Sequence, residues 1–100
     1  MSYFDAELPK RRALILCVLA MSEPYGSNKA LLHAFMSEDG MANSTFLVDE
    51  DIAWLQSRRL VCLMDDFVLL TLRGSEVANG REMFPGVSHV TDWDQYAAAL

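Results

Sequence analysis

Acidic side chains are the residues of this sequence whose spacing could support chemistry. Asp49, Glu50 and Asp51 follow one another, and Asp65 and Asp66 form a second group. Adjacent carboxylates can hold a hard cation such as calcium, but a calcium loop spreads its ligands over a longer segment that contains glycine. Neither acidic group has that spacing, so we expect no bound metal.

The two histidines stand apart from any nucleophile. His33 lies among apolar residues, and His89 lies near the C-terminus. Neither belongs to a cysteine or serine motif of nucleophilic catalysis, and the sequence has no glycine-rich phosphate loop. We therefore expect a protein that is not an enzyme and that needs no cofactor.

Cys17 and Cys62 each lie inside an apolar run and lack the spacing of zinc ligands. We expect two buried, reduced thiols in a cytoplasmic protein. The apolar run after Arg12 is too short to cross a membrane. It follows basic residues, as in a signal peptide, but Asp5 and Glu7 precede them and argue against secretion.

The composition is that of one small folded domain. The chain has 100 residues, and 52% of them are hydrophobic, which is enough to build a core. The 14 acidic residues outnumber the 8 basic ones, giving a net charge of -6. Because phosphate contacts supply most nonspecific affinity for nucleic acid, this charge lowers the expectation of DNA binding, although local charge distribution matters more.

Hydrophobic periodicity and turn residues predict a helical domain with one hairpin. Pro9 suits a first helical turn, and Ser27 and Ser44 can each cap the helix that follows. Two β-rich runs flank Asp65 and Asp66, which is typical of a hairpin. The predicted elements are helix 1 over residues 10–22, helix 2 over 28–36, helix 3 over 45–58, a hairpin over 60–72 and a short helix over 74–78.

The apolar faces of the first two helices predict how they pack. Helix 1 is apolar nearly all round over residues 13–21, so it lies at the centre of the core or is shared with a second subunit. Helix 2 offers Leu31, Leu32 and Phe35 as its apolar side. A homodimer through helix 1 and the C-terminal region is the expected assembly.

Helix 3 has one apolar face and one mixed face. At about 100° per residue, Val48, Ile52 and Leu55 fall together and are expected to pack on helices 1 and 2. The outward face is acidic and apolar, and its acids also suit the N-terminal half of a helix through the helix dipole. The outward and flanking residues are Phe46, Leu47, Glu50, Ala53, Trp54 and Ser57.

The segment over residues 51–80, "DIAWLQSRRLVCLMDDFVLLTLRGSEVANG", resembles the winged-helix pattern of ArsR-like and MarR-like proteins. In that pattern the end of helix 3 runs into a wing and then into a short helix that contains glycine. The resemblance implies a mainly α, α+β winged helix-turn-helix with three helices, a β-hairpin wing and a short C-terminal helix. The matching positions are Ile52, Leu55, Leu60, Val61, Leu70, Thr71, Gly74 and Ala78.

The chain is similar, over residues 10–90, to small proteins of Mu-like phages and prophages that are described as ArsR-type transcriptional regulators. The "DIAWLQSRRLV" helix end carries this likeness, together with Gly80, Arg81, Pro85, Gly86 and Val87 in the tail. The resemblance implies a cytoplasmic DNA-binding regulator. The expected organisation is a lead-in over residues 1–9, a winged-helix domain over 10–80 and a tail over 81–100.

A regulator of this kind would contact duplex DNA through helix 3, the start of helix 2 and the region after the wing. These contacts combine groups that bind phosphate with groups that read bases. The candidate nucleic-acid-binding residues are Lys29, Ser44, Thr45, Asp49, Glu50 and Arg73.

The residues of helix 3 also allow a different function. Acidic and apolar residues occupy positions where a DNA reader presents basic or amide side chains, and the wing turn is acidic too. This pattern suits an unidentified protein partner, either through a protein-interaction surface or through mimicry of DNA. The candidate partner-binding residues are Phe46, Leu47, Glu50 and Trp54.

Overall fold

The computed structural model describes residues 3–22, 25–38 and 45–88, with side chains described over 9–22, 25–36 and 47–88. The described chain is α+β and mainly helical, which is compatible with the predicted winged helix-turn-helix. Its elements in chain order are α1 (Tyr3–Met21), β1 (Gly26–Asn28), α2 (Lys29–Glu38), α3 (Thr45–Ser57), β2 (Val61–Met64), β3 (Phe67–Leu70) and α4 (Leu72–Ala78).

The strands form one antiparallel sheet in the order β1-β3-β2. The predicted hairpin is confirmed: β2 and β3 pair directly, and Asp65 and Asp66 form its turn. Strand β1 was not predicted from the sequence, because a three-residue "GSN" segment has little strand propensity of its own. A Cβ at Gly26 would lie 2.6 Å from the Phe67 ring, so glycine permits the close approach of β1 to β3.

Helix α2 begins one residue later than predicted, and its cap is a different residue. Ser27 lies in β1, whereas the Asn28 side-chain oxygen accepts a hydrogen bond from the backbone N–H of Leu31 at 2.8 Å. Asn28 therefore satisfies a free N–H group of the first helical turn. Ser27, the predicted cap, is instead a residue of strand β1.

The buried face of α2 also differs from the prediction. Leu32 and Met36 are fully buried, but Leu31 is 63% exposed and Phe35 is 40% exposed. Residues four apart lie above one another on a helix, so Leu32 and Met36 form the inward stripe and the other pair lies beside it. The prediction that Leu31 and Phe35 belong to the core side was wrong.

Helix α1 begins at Tyr3, so residues 3–9, most of the predicted lead-in, belong to this helix. Pro9 lies inside this helix and not in its first turn. The apolar stretch that follows is central to the core, as predicted. The buried core consists of Leu14, Ile15, Leu16, Leu19, Leu32, Met36, Val48, Ile52, Leu55, Leu60, Val61, Val68, Val77 and Ala78.

Helix α3 ends at Ser57 in a left-handed cap. Arg59 has φ +63°, its backbone N–H donates to the Gln56 carbonyl at 3.0 Å, and the Leu60 N–H donates to the Leu55 carbonyl at 2.9 Å. These two bonds are those of a Schellman motif, which usually places glycine at the left-handed position. Here the position holds an exposed arginine.

Helix α4 begins at Leu72, two residues before the predicted start, because Thr71 caps it. The Thr71 hydroxyl accepts a hydrogen bond from the Gly74 N–H at 3.0 Å. A Cβ at Gly74 would lie 2.0 Å from the Leu60 carbonyl oxygen. Glycine is therefore required here by the packing of α4 against the chain after α3, and not as the residue that opens the helix.

The described part of the predicted tail packs on the domain. Residues 82–88, which we call the strap, have no regular secondary structure, but Phe84 and Val87 lie against the core. Cys17 is half-buried, and Cys62 is exposed on β2, which corrects the prediction of two buried thiols. No helix within the described residues is both long and apolar enough to span a membrane.

Candidate functional site

An ion pair in the core fixes α3 against α1. The Arg11 guanidinium donates through Nε to Asp51 Oδ2 and through Nη2 to Asp51 Oδ1, the latter at 3.2 Å. The two side chains are only 6% and 2% exposed. Asp51 therefore belongs to the core and not to the outward acidic surface.

Arg12 lies beside the same pair and is largely enclosed. Its Nε is 4.0 Å from Asp51 Oδ1, and that nitrogen has no hydrogen-bond partner among the described residues. Burial lowers the pKa of the Arg12 guanidinium from its ordinary value, and the attraction of Asp51 opposes this shift. The basic run that begins near residue 10 is thus partly internal.

The outward surface of α3 exposes Asp49, Glu50, Ala53 and Gln56. Asp49 Oδ1 lies 2.8 Å from His33 Nε2, so this carboxylate also links α3 to α2. The sequence of α3 contains no lysine or arginine. The surface predicted to enter a DNA groove is therefore acidic and polar.

The turn of the β2–β3 hairpin adds two exposed acidic groups. Asp65 and Asp66 are both exposed, and Met64 beside them is 58% exposed. The Asp66 carbonyl accepts a hydrogen bond from the backbone N–H of Lys29 at 2.8 Å, so the turn meets the start of α2. Lys29, predicted to contact DNA, is half-buried at this junction.

Trp54 lies within a cluster of cationic and aromatic groups. The Arg12 guanidinium carbon is 3.7 Å from the centroid of the Trp54 ring, and that of Arg58 is 5.0 Å away. Phe84 of the strap makes an edge-to-face contact with the ring at 6.0 Å between centroids. Trp54 is half-buried as a result, because it packs against Phe84 in the predicted tail.

The strap also engages Arg73, another predicted DNA contact. The Arg73 guanidinium is 3.2 Å from Glu82 Oε1 and 5.2 Å from the Phe84 ring centroid. Within the described residues, neither Arg73 nor Lys29 forms a side-chain ion pair with Asp49 or Glu50. Among the described side chains, the basic and the acidic residues that were predicted to contact nucleic acid are therefore not linked by ion pairs.

The remaining predicted site residues lie at the start of α3. Leu47 is half-buried beside the acidic surface. Thr45 and Phe46 belong to the first turn of α3, but their side chains lie outside the described part of the chain, and Ser44 lies outside it altogether.

A signal for the role of Asp51 was present in the sequence. Asp51 is three residues after Val48 and four before Leu55, so a helical wheel places it on the core side. A carboxylate on that side needs a buried cation, and the basic run of helix 1 offers one. The three acids of α3 therefore differ in position, because Asp51 faces the core whereas Asp49 and Glu50 are exposed.

No metal centre is found within the described residues. No group of three or more His, Cys, Asp or Glu side chains there could hold a metal ion. A hollow between α1, α4 and the strap is lined by Leu16, Cys17, Val77 and Val87, among others, and has no room for a water molecule.

No family model, no curated protein and no solved structure matches this chain. Its function is therefore inferred from its own residues and from the arrangement described above.

Proposed function

We propose that this chain is a winged helix-turn-helix protein that uses α3 to bind a protein partner with a basic surface. The order of its elements supports the fold, since three helices precede a β-hairpin and β1 completes the sheet beside it. In such a domain α3 and the hairpin turn present adjacent binding elements. Their chemistry decides what the domain binds.

The observation that carries this proposal is the acidity of both elements. Asp49 and Glu50 are exposed on α3, and Asp65 and Asp66 are exposed on the hairpin turn. A phosphate backbone is repelled by carboxylates that no cation offsets. A basic protein surface is attracted by them, and complementary charge speeds encounter and selects the partner.

A DNA-binding phage or prophage regulator is the second candidate function. The resemblance to ArsR-type proteins of Mu-like phages favours it, as does the position of Lys29 at the start of α2, where such domains contact the DNA backbone. Mimicry of DNA is a form of the first function, because the partner would then be a DNA-binding protein. Assembly as a homodimer remains part of both proposals.

Fluorescence anisotropy with a labelled random-sequence DNA duplex at low salt separates the two functions. The protein-binding function predicts no binding by the native chain and no change on Lys29→Ala. The regulator function predicts binding that falls steeply with salt, weakens on Lys29→Ala and strengthens when Asp49→Asn and Glu50→Gln remove charge. Asp5→Asn with Glu7→Gln, which removes the same two charges from α1, is the matched control for the last effect.

A further inference from the structure

Three of the eight basic residues stack on one pair of aromatic rings. Arg12 and Arg58 lie over the Trp54 ring, and Arg73 lies over the Phe84 ring. The Arg59 carbonyl accepts a hydrogen bond from the Thr71 hydroxyl at 2.8 Å, which brings the end of α3 to the start of α4. We call this set the basic end, and its members are Arg12, Arg58 and Arg73.

The basic end retains positive charge after its acidic neighbours are counted. Asp51 pairs most closely with the buried Arg11, which is not a member of the set, and its Oδ1 also lies 4.0 Å from Arg12 Nε. Glu82 pairs with Arg73, but Glu82 belongs to the strap. If the strap moved away, Arg73 would lose this counter-charge, and the positive charge of the basic end would increase.

The strap crosses the basic end and covers its aromatic centre. The Arg12 Nη1 donates to the Gly86 carbonyl at 3.1 Å, and the Ser88 N–H donates to the Pro9 carbonyl at 3.1 Å. Phe84 contacts Trp54 and also lies under the Arg73 guanidinium. The strap thereby uses hydrogen-bonding and stacking surface that the basic end could offer to another molecule.

The strap is held to the domain by contacts that can break. It has no helical or strand hydrogen bonds of its own, and Met83, Pro85 and Gly86 are exposed. The closed arrangement leaves the buried Arg12 Nε without a hydrogen bond among the described residues, which weakens closure. Segments with few buried contacts and exposed backbone open most easily in folded proteins.

We propose that the strap opens and closes, and that its opening exposes the basic end as a binding surface for single-stranded nucleic acid. Guanidinium groups bind backbone phosphates, and an aromatic ring among them gives a base a surface for stacking. An acidic protein segment would use the charges but has no comparable need of the Trp54 ring. This combination favours single-stranded nucleic acid as the ligand class.

This surface adjoins the acidic surface of α3, since Trp54 lies one helical turn after Glu50, but the inference does not rest on the proposed function. The protein partner is tested through Asp49 and Glu50, whereas the strap is tested through Gly86, Phe84 and Arg58. Either account can fail while the other stands.

The test uses the full chain with Gly86→Val, a substitution that strains the closed strap. Gly86 has φ +89°, and a Cβ there would lie 3.0 Å from both Arg12 Nη1 and the Trp54 ring. Strap opening is followed by acrylamide quenching of Trp54 in a Trp93→Phe background. Met83→Ala is the matched control, because Met83 is 77% exposed in the same segment.

Binding is measured by anisotropy with a fluorescein-labelled 20-mer oligothymidylate at low salt. We expect Gly86→Val to raise affinity at least about tenfold, with a log–log salt slope of about -2 for three phosphate contacts. Met83→Ala leaves affinity unchanged. Adding Arg58→Gln to Gly86→Val reverses most of the gain, whereas adding Lys29→Gln removes an equal charge elsewhere and reverses little of it.

Phe84→Ala provides a second way to open the strap if Gly86→Val does not fold, as judged by circular dichroism. The inference is overturned if the opened variants gain no affinity for the oligonucleotide, or if polyglutamate is bound as tightly. It is also overturned if Trp54 stays protected in both variants, because the strap would then be a fixed part of the domain.

Discussion

Arg11 of α1 and Asp51 of α3 form an ion pair inside the hydrophobic core, at the junction of the two helices. The pair removes from the surface a carboxylate that stands next to Asp49 and Glu50 in the sequence. It also fixes the rotation of α3, because Asp51 can meet Arg11 only when Val48, Ile52 and Leu55 face inward. The exposed acidic surface of α3 is thus the face opposite the pair.

Loss of one member of this pair should destabilise the domain strongly. Asp51→Ala leaves the Arg11 charge buried without its partner, and we expect the free energy of unfolding to fall by about 3–5 kcal/mol. Replacing both residues, as Arg11→Met with Asp51→Leu, should recover most of this loss. Urea denaturation followed by circular dichroism measures both effects.

Asp49→Ala is the matched control for Asp51→Ala, since Asp49 is an acid of the same helix that lies at the surface. Its effect on stability should stay below about 1 kcal/mol. Equal losses for the two substitutions would contradict the buried pair.

Gly74→Ala should destabilise α4 although alanine is the better helix former. The added Cβ would lie 2.0 Å from the Leu60 carbonyl oxygen, so α4 must move away from the chain after α3. We expect a loss of about 2–3 kcal/mol in urea denaturation. Ser75→Ala, at the next position of the same helix, should change stability by less than about 1 kcal/mol, and a stabilising Gly74→Ala would argue against this packing.

Arg59→Gly should stabilise the domain. Arg59 holds the left-handed position after α3 with φ +63°, where a side chain costs about 1 kcal/mol relative to glycine. Thermal unfolding should show the gain. Arg58→Gly, one residue earlier, has no such strain to relieve and removes a contact with Trp54, so it should be neutral or destabilising. If Arg59→Gly unfolded at a lower temperature than Arg58→Gly, the left-handed cap at Arg59 would be excluded.

The sequence predicted the helices and the hairpin because their signals are local. The apolar stripe of Val48, Ile52 and Leu55 predicts the inward face of α3. Two β-rich runs on either side of Asp65 and Asp66 predict a hairpin. Their ends were less certain, since caps such as Thr71 depend on a few hydrogen bonds.

Features that depend on distant parts of the chain were not predictable in the same way. Strand β1 exists because β3 offers it a paired edge and Gly26 permits the approach, and neither fact is visible in "GSN" alone. The exposure of Leu31 and Phe35 follows from which stripe of α2 meets the core. The covering of Trp54 depends on a strap some 30 residues further along, whose contacts leave no periodic pattern.

The most direct test of the central proposal is photo-cross-linking from the outward surface of α3 in living cells. A photoreactive amino acid at Ala53, which is exposed beside Glu50, should give a cross-linked protein of defined mass that differs from a dimer of this chain. Asp49→Asn with Glu50→Gln should abolish that product, and the same probe at the exposed Leu72 should not give it. If Ala53 instead cross-links to DNA, or gives the same protein after both acids are neutralised, the α3 surface is not an acidic protein-binding site.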